Sequence, residues 1–245
     1  MSRPHPRRGA PLPYQVLAGV VPYADGWLAA TAKLQGITMS PEEPQLFSSF
    51  LDVLDYKPAY QVVTVAIPVG LLDQPSPGGR RCEQDARRLL GLPRSAAITS
   101  APSRRALSCS SYEDARSANG GRLSIVSWKR MRHIAEVDEV MAPYWQRTVV
   151  EVNPELSFYQ LNDDQPVRFS KHKRAGIEER RSLLKERIPQ IERIIDARFP
   201  RVAAAHVLDA AACLWTARRV VSRAVNRLPE DPEWDNEGLR MEIVR

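Results

Sequence analysis

The sequence predicts an α/β protein with a mixed β-sheet flanked by helices. Two short apolar runs, residues 14–21 and 26–32, predict a strand hairpin turning at residues 22–25. The uncharged, β-branched run at residues 60–67 (YQVVTVAI) predicts a central strand covered on both faces. After it, helical-period segments alternate with short strands, the order expected of helices packed on a sheet. At 245 residues, 43% hydrophobic and 26% charged, the chain has the composition of a globular protein able to bury a sizeable core.

The elements follow in order. Residues 1–13 are rich in Pro and Arg, without periodicity, and predict a disordered basic tail; residues 14–245 are expected to form a single domain. A helix is expected over residues 47–54, with Phe47, Phe50, Leu51 and Leu54 on one face. Pro68 and Gly70 force the chain out of the sheet after the central strand. Residues 72–111 read as loop around one short basic helix, 82–90, stopped by Gly91 and Pro93. Residues 112–116 and 125–140 read as helices, and residues 148–152 as a short strand. A long helix is expected over about 176–199, kinked at Pro189, then a last helix over roughly 202–226 and a short edge strand at 241–243. The aromatics Trp128, Tyr144, Trp145 and Trp215 read as packing residues.

Several function classes are set aside. Cys82, Cys109 and Cys213 form an odd, widely spaced set without a CxxC pair, which suits neither a zinc site nor a disulfide framework and points to a reducing compartment. The most apolar stretch, residues 202–215, contains His206 and Asp209 and falls short of the ~20 residues a bilayer requires. Pro22 and Asp25 cut short the apolar run behind the N-terminal arginines, so no secretion signal is read and a cytoplasmic, non-membrane protein is expected. The net charge of +6 admits a nucleic-acid partner but does not establish one, since Arg3, Arg7 and Arg8 of the tail supply part of it.

Three stretches carry candidate chemistry. At residues 65–71 a buried strand is broken by Pro and Gly, and ligands in open α/β sheets gather where strands end. At residues 151–158, strand alternation puts Glu151 and Asn153 on one face, and an inward carboxylate there needs a partner or a cation. At residues 206–218, Asp209 sits in a helix of small residues, where a buried carboxylate again needs a cation or a hydrogen-bond donor. A plain loop exit and a surface glutamate remain the alternatives for the first two. Separately, Arg168, Lys171, Lys173, Arg174, Arg180 and Arg181 cluster around the start of the long helix. Of these, Lys171, Lys173, Arg174 and Arg180 are the candidate nucleic-acid contacts.

Together with residues 82–91, 123–138, 170–184 and 238–243, these stretches resemble the family numbered 429 among domains of unknown function, described as ribonuclease-H-like nucleases. The similarity runs from about Leu17 to Val244. The resemblance implies a ribonuclease-H-like fold in which strand ends and the last helix present acidic residues to one or two divalent ions, Mg²⁺ or Mn²⁺. By the same resemblance, Glu151, Glu155 and Asp209 are the catalytic candidates, and Glu151 and Asp209 the metal ligands. The chain departs from the pattern at four places. Val21 and Ala66 stand where the family has Asp, Asn153 where it has His in a Glu-x-His-Pro-Glu block, and His206 where an acidic residue is common. Two aliphatic side chains in place of oxygen ligands leave at most a weak cation site. The expectation is a catalytically impaired pseudo-nuclease that binds nucleic acid or a protein partner. The alternatives are an active metal-dependent nuclease or phosphoesterase using Glu151, Glu155 and Asp209, and a small-molecule hydrolase with its site elsewhere.

Overall fold

A computed structural model describes residues 13–245. Predominantly apolar runs form two long strands, β1 (Gln15–Tyr23) and β2 (Gly26–Gln35), the second carrying one charged residue, Lys33. They pair antiparallel from Gln15↔Leu34 to Tyr23↔Gly26, so the turn is tighter than the sequence predicts. The outer edge of β2 carries β3 (Thr38–Pro41) and β4 (Gln45–Phe47). Helix α1 (Phe50–Leu54) begins late because Ser49 and Asp52 form a reciprocal capping box, which leaves Phe47 in β4. The central strand β5 (Tyr60–Val65) lies parallel to β1 on its other side.

Between β5 and the next strand the chain forms α2 (Arg81–Leu90), α3 (Arg104–Leu107), α4 (Tyr112–Ala118) and α5 (Ile125–Val140). Strand β6 (Val149–Glu151) then pairs parallel to β5, giving the sheet order β3-β2-β1-β5-β6. Helices α6 (Pro154–Leu161), α7 (Arg174–Arg187), α8 (Glu192–Ile195) and α9 (Ala204–Val221) follow. A terminal hairpin of β7 (Arg227–Trp234) and β8 (Arg240–Val244) touches the main sheet through a single parallel bridge, Val152↔Val244. The chain is therefore an α/β protein with a mixed sheet flanked by helices, as the sequence predicts.

Strand alternation sorts the core into two layers. Leu17 and Val21 of β1 join Leu28, Ala30, Val150 and Val152 beneath α6 to α9. Val16, Ala18 and Val20 join Trp27, Val63, Val65 and Val149 beneath α1 and α5. Helix α9 lies unusually near β1 because a Cβ at Gly19 would sit 2.1 Å from the Leu214 amide nitrogen and 2.3 Å from the Ala210 carbonyl oxygen. The run Ala210–Ala211–Ala212–Cys213 supplies the matching small surface, fully buried. The Thr64 hydroxyl locks the contact by donating to the Cys213 carbonyl at 2.7 Å. This close approach fixes where α9 sets its functional side chains.

Several expectations are corrected. Pro189 ends a helix rather than kinking one: α7 stops at Arg187, Gln190 adopts the left-handed region (φ 60°), and α8 starts at Glu192. The last helix ends at Val221, with Arg223 left-handed (φ 55°) just beyond it. The expected edge strand pairs with β7, whose Pro229 and Pro232 are tolerated at a register shift in a two-stranded ribbon. Tyr144 is 64% exposed and does not pack in the core, whereas Trp215 does. The expected basic tail lies outside the described residues except for Pro13. Among the described residues, no helix is long and apolar enough to cross a membrane.

Candidate functional site

Strands β1, β5 and β6 run parallel, so their C-terminal ends gather at one edge of the sheet. Val20 is level with Val65, and Val65 with Glu151. One residue further along, Val21 and Val152 turn to the α9 side, where Ala66 packs with them, while Glu151 points to the opposite face. Two small clefts result, of ≈ 30 and ≈ 40 Å³, and both are bordered by Ala66, Arg130 and Asn153. Glu151 borders the first; Val21, Glu155, Lys171, His206 and Asp209 border the second. The structure thus brings Val21, Ala66, Glu155 and Asp209 together, and sets Glu151 in the adjoining cleft rather than beside Asp209. Asp25 stays outside, in the hairpin turn, paired with Arg201 at 2.9 Å.

Each acid has its own basic partner. Glu151, 6% exposed, is held in a two-pronged contact by the buried Arg80 guanidinium at 2.6 and 2.8 Å, and it accepts the Val69 N–H at 2.7 Å. Arg80 also donates to Glu83 at 2.8 Å and to the Gly70 carbonyl at 3.0 Å, which straps the broken end of β5 to the start of α2. Gly79 is obligatory there: it sits at φ 77°, and a Cβ would meet Glu83 Oε2 at 2.2 Å. Burial pushes the Glu151 carboxyl pKa up; Arg80 and the Val69 N–H oppose the shift without cancelling it.

Glu155 lies in the first turn of α6, below the Asn153 cap that accepts its N–H at 3.0 Å. Its Oε2 accepts from Arg180 at 2.9 Å, and its Oε1 lies 3.5 Å from Arg94 and accepts no hydrogen bond. Arg180 is fully buried, donates also to the Phe169 carbonyl at 2.9 Å, and stacks 5.1 Å from the Phe158 ring centroid. Arg180 therefore presents nothing to a surface ligand, while Lys173 and Arg174 at the start of α7 are exposed. On α9, Asp209, 5% exposed, is paired with Lys171 Nζ at 2.5 Å.

Two side chains at the junction have no such partner. Arg130, half-buried on α5 between the two clefts, makes no hydrogen bond or ion pair among the described residues. Burial lowers its pKa, and Asp209 partly restores it. His206, one turn before Asp209, has a buried Nδ1 without a hydrogen bond. Burial lowers its pKa most, the Asp209 charge raises it, and the Lys171, Arg130 and His172 charges lower it further. Among the described residues, no three His, Cys, Asp or Glu side chains are grouped to hold a metal ion.

Arg80, Arg94 and Arg130 are the residues that sequence reasoning missed. The signal was indirect: a buried carboxylate requires a partner, but the partner of Glu151 lies 71 positions away.

The fold and site define an α/β protein whose parallel strand ends and last helix hold carboxylates, each matched by a side-chain cation. The chain belongs to the family described as "Protein of unknown function (DUF429)", which matches residues 19–234. No curated protein and no solved structure matches it at a significant level.

Proposed function

We propose that this chain is a ribonuclease-H-like protein that has exchanged a metal centre for side-chain cations and that binds nucleic acid along a basic rim. The strand hairpin followed by parallel strands and flanking helices supports the fold assignment. The observation that carries the functional reading is the pairing of the three candidate acids: Asp209 with Lys171, Glu151 with Arg80 and Glu155 with Arg180.

In-line phosphodiester cleavage with two metal ions requires several carboxylate oxygens converging on hard cations. Here Val21 and Ala66 offer methyl groups, Glu151 belongs to a different cleft from Asp209, and one oxygen each of Asp209 and Glu155 is taken by an ammonium or guanidinium group. This donor set does not fit a divalent ion. The side chains have structural tasks in its place. Arg80 holds the ends of β5 and β6 together, and Lys171 neutralises Asp209 so that α9 can pack against the sheet.

The rim is formed by Arg168, His172, Lys173 and Arg174, all exposed around the start of α7. Phe169, 44% exposed, lies among them with Arg168 5.8 Å from its ring centroid. Exposed cations with an aromatic between them suit a phosphate backbone and an unstacked base.

The test measures fluorescence anisotropy of short single-stranded RNA and DNA across a salt series. Binding is expected to weaken with salt, and Lys173→Glu with Arg174→Glu should reduce the magnitude of the log–log slope by roughly 1.4, two phosphate contacts' worth. Salt-insensitive or undetectable binding would remove the nucleic-acid partner and leave a protein partner. Divalent-dependent cleavage abolished by Asp209→Ala would instead favour the active-nuclease alternative.

A further inference from the structure

We infer that the cleft between Val21, Asn153 and Asp209 is a subsite for a single phosphoryl group, anchored by Arg130; this rests on the anion-binding reading above and names its ligand. Glu155 and Asp209 are the two carboxylates bordering this cleft, and four cations answer them: Lys171, Arg94, Arg180 and Arg130. Across the junction, Arg80 is shared between Glu83 and Glu151, so that side supplies one excess negative charge and the combined site is still net positive. Arg130 is the guanidinium left over. It is half-buried, borders both clefts, and donates to nothing among the described residues.

A half-buried guanidinium without a protein acceptor leaves its donors open to a ligand at the clefts, and its planar donor fork matches phosphate geometry. His206 Nδ1 is buried and unpartnered at the same cleft, as is Glu155 Oε1, which Arg94 faces at 3.5 Å. The Asn153 side chain completes the lining, although its Oδ1 already accepts the Glu155 N–H. Size limits the ligand. The cleft offers ≈ 40 Å³ to water-sized groups, room for about three of them, which suits phosphoryl oxygens. The rest of any larger ligand would extend over the exposed rim. The methyl groups of Val21 and Ala66 favour this arrangement, because carboxylates at those positions would repel the anion.

Two sources supply this chemistry: a terminal phosphate on a nucleic acid, or a small phosphomonoester or free phosphate. The experiment titrates the full chain with inorganic phosphate, following the Arg130 Nε resonance by ¹⁵N NMR, and compares oligonucleotides bearing 5′-phosphate with the same sequences bearing 5′-hydroxyl. A saturable shift of Arg130 Nε is expected, with affinity falling about tenfold to a hundredfold in Arg130→Gln and less in Arg130→Lys. A preference for the 5′-phosphorylated strand assigns the source to nucleic acid; saturable phosphate binding without that preference assigns it to a small phosphate. No saturable shift in wild type, or unchanged phosphate affinity in Arg130→Gln, overturns the subsite. Oligonucleotide binding that persists with no Arg130 response would leave the rim reading standing and refute this one alone. The wild-type resonance shift decides the matter even where Arg130→Gln fails to fold.

Discussion

Replacing Arg80 with Met should destabilise the fold more than any other single change at the site. The guanidinium is 2% exposed and contacts two carboxylates, Glu151 through two nitrogens and Glu83 through a third, together with the Gly70 carbonyl. Met fills similar volume but leaves both acids buried without a counter-charge. Breaking a buried pair by removing one partner costs about 3–5 kcal/mol. For a chain of this size that corresponds to a fall in Tm of roughly 6–20 °C. Urea unfolding followed by circular dichroism measures it directly, and a second substitution sharpens it. Glu151→Gln in the Arg80→Met background should recover part of the loss, because the stranded charge is removed, whereas Glu151→Gln alone should destabilise. A loss below about 1 kcal/mol for Arg80→Met, or no recovery in the double variant, would refute the claim that this guanidinium neutralises the strand-end acid.

Three further outcomes are expected. Lys171→Ala leaves Asp209 without its partner, but the lysine side chain is 28% exposed and water can partly replace it, so the expected loss is about 1–3 kcal/mol, largely relieved by adding Asp209→Asn; urea unfolding checks both. His206 and His133 both have pKa values lowered chiefly by burial, so the folded state favours the neutral ring. The unfolded chain then takes up protons first as pH falls through about 6.5, stability declines below that pH down to the folded pKa values, and His206→Gln should flatten part of the decline in a pH series of thermal melts. Gly19→Ala should cost about 1–3 kcal/mol or more in urea unfolding, because its methyl group would press on the α9 backbone at 2.1 Å.

Much of the sheet was legible in the sequence. Residues 14–21, 26–32 and 60–67 are uncharged and largely apolar, the first and last rich in valine, and they became β1, β2 and β5. The terminal hairpin was half-hidden because β7 carries two prolines and four acidic or basic residues among its eight, which reads as loop. The helix at 154–161 was hidden by its start: Asn153 reads as strand alternation after Glu151, yet it caps α6.

At the site, the carboxylates were visible as residues, and Asp209 was already expected to need a partner. What the sequence concealed was pairing across long separations. Arg80 follows two glycines in a loop, and nothing nearby reveals that it meets Glu151 across the sheet end. Lys171 and Arg180 read as a surface patch, although one neutralises Asp209 and the other is fully buried against Glu155. Alternation also carried more information than was drawn from it. Val65 is level with Glu151, so Glu151 points to the face opposite Val21 and cannot share a cleft with Asp209 as closely as its neighbour Glu155 does.

The most direct measurement is calorimetric titration of the purified chain with Mn²⁺ at neutral pH, beside the Lys171→Ala variant. With Lys171 Nζ seated on Asp209, no saturable heat is expected from the wild type. Stoichiometric Mn²⁺ binding by the wild type, lost in Asp209→Asn, would contradict the exchange of metal for side-chain cations.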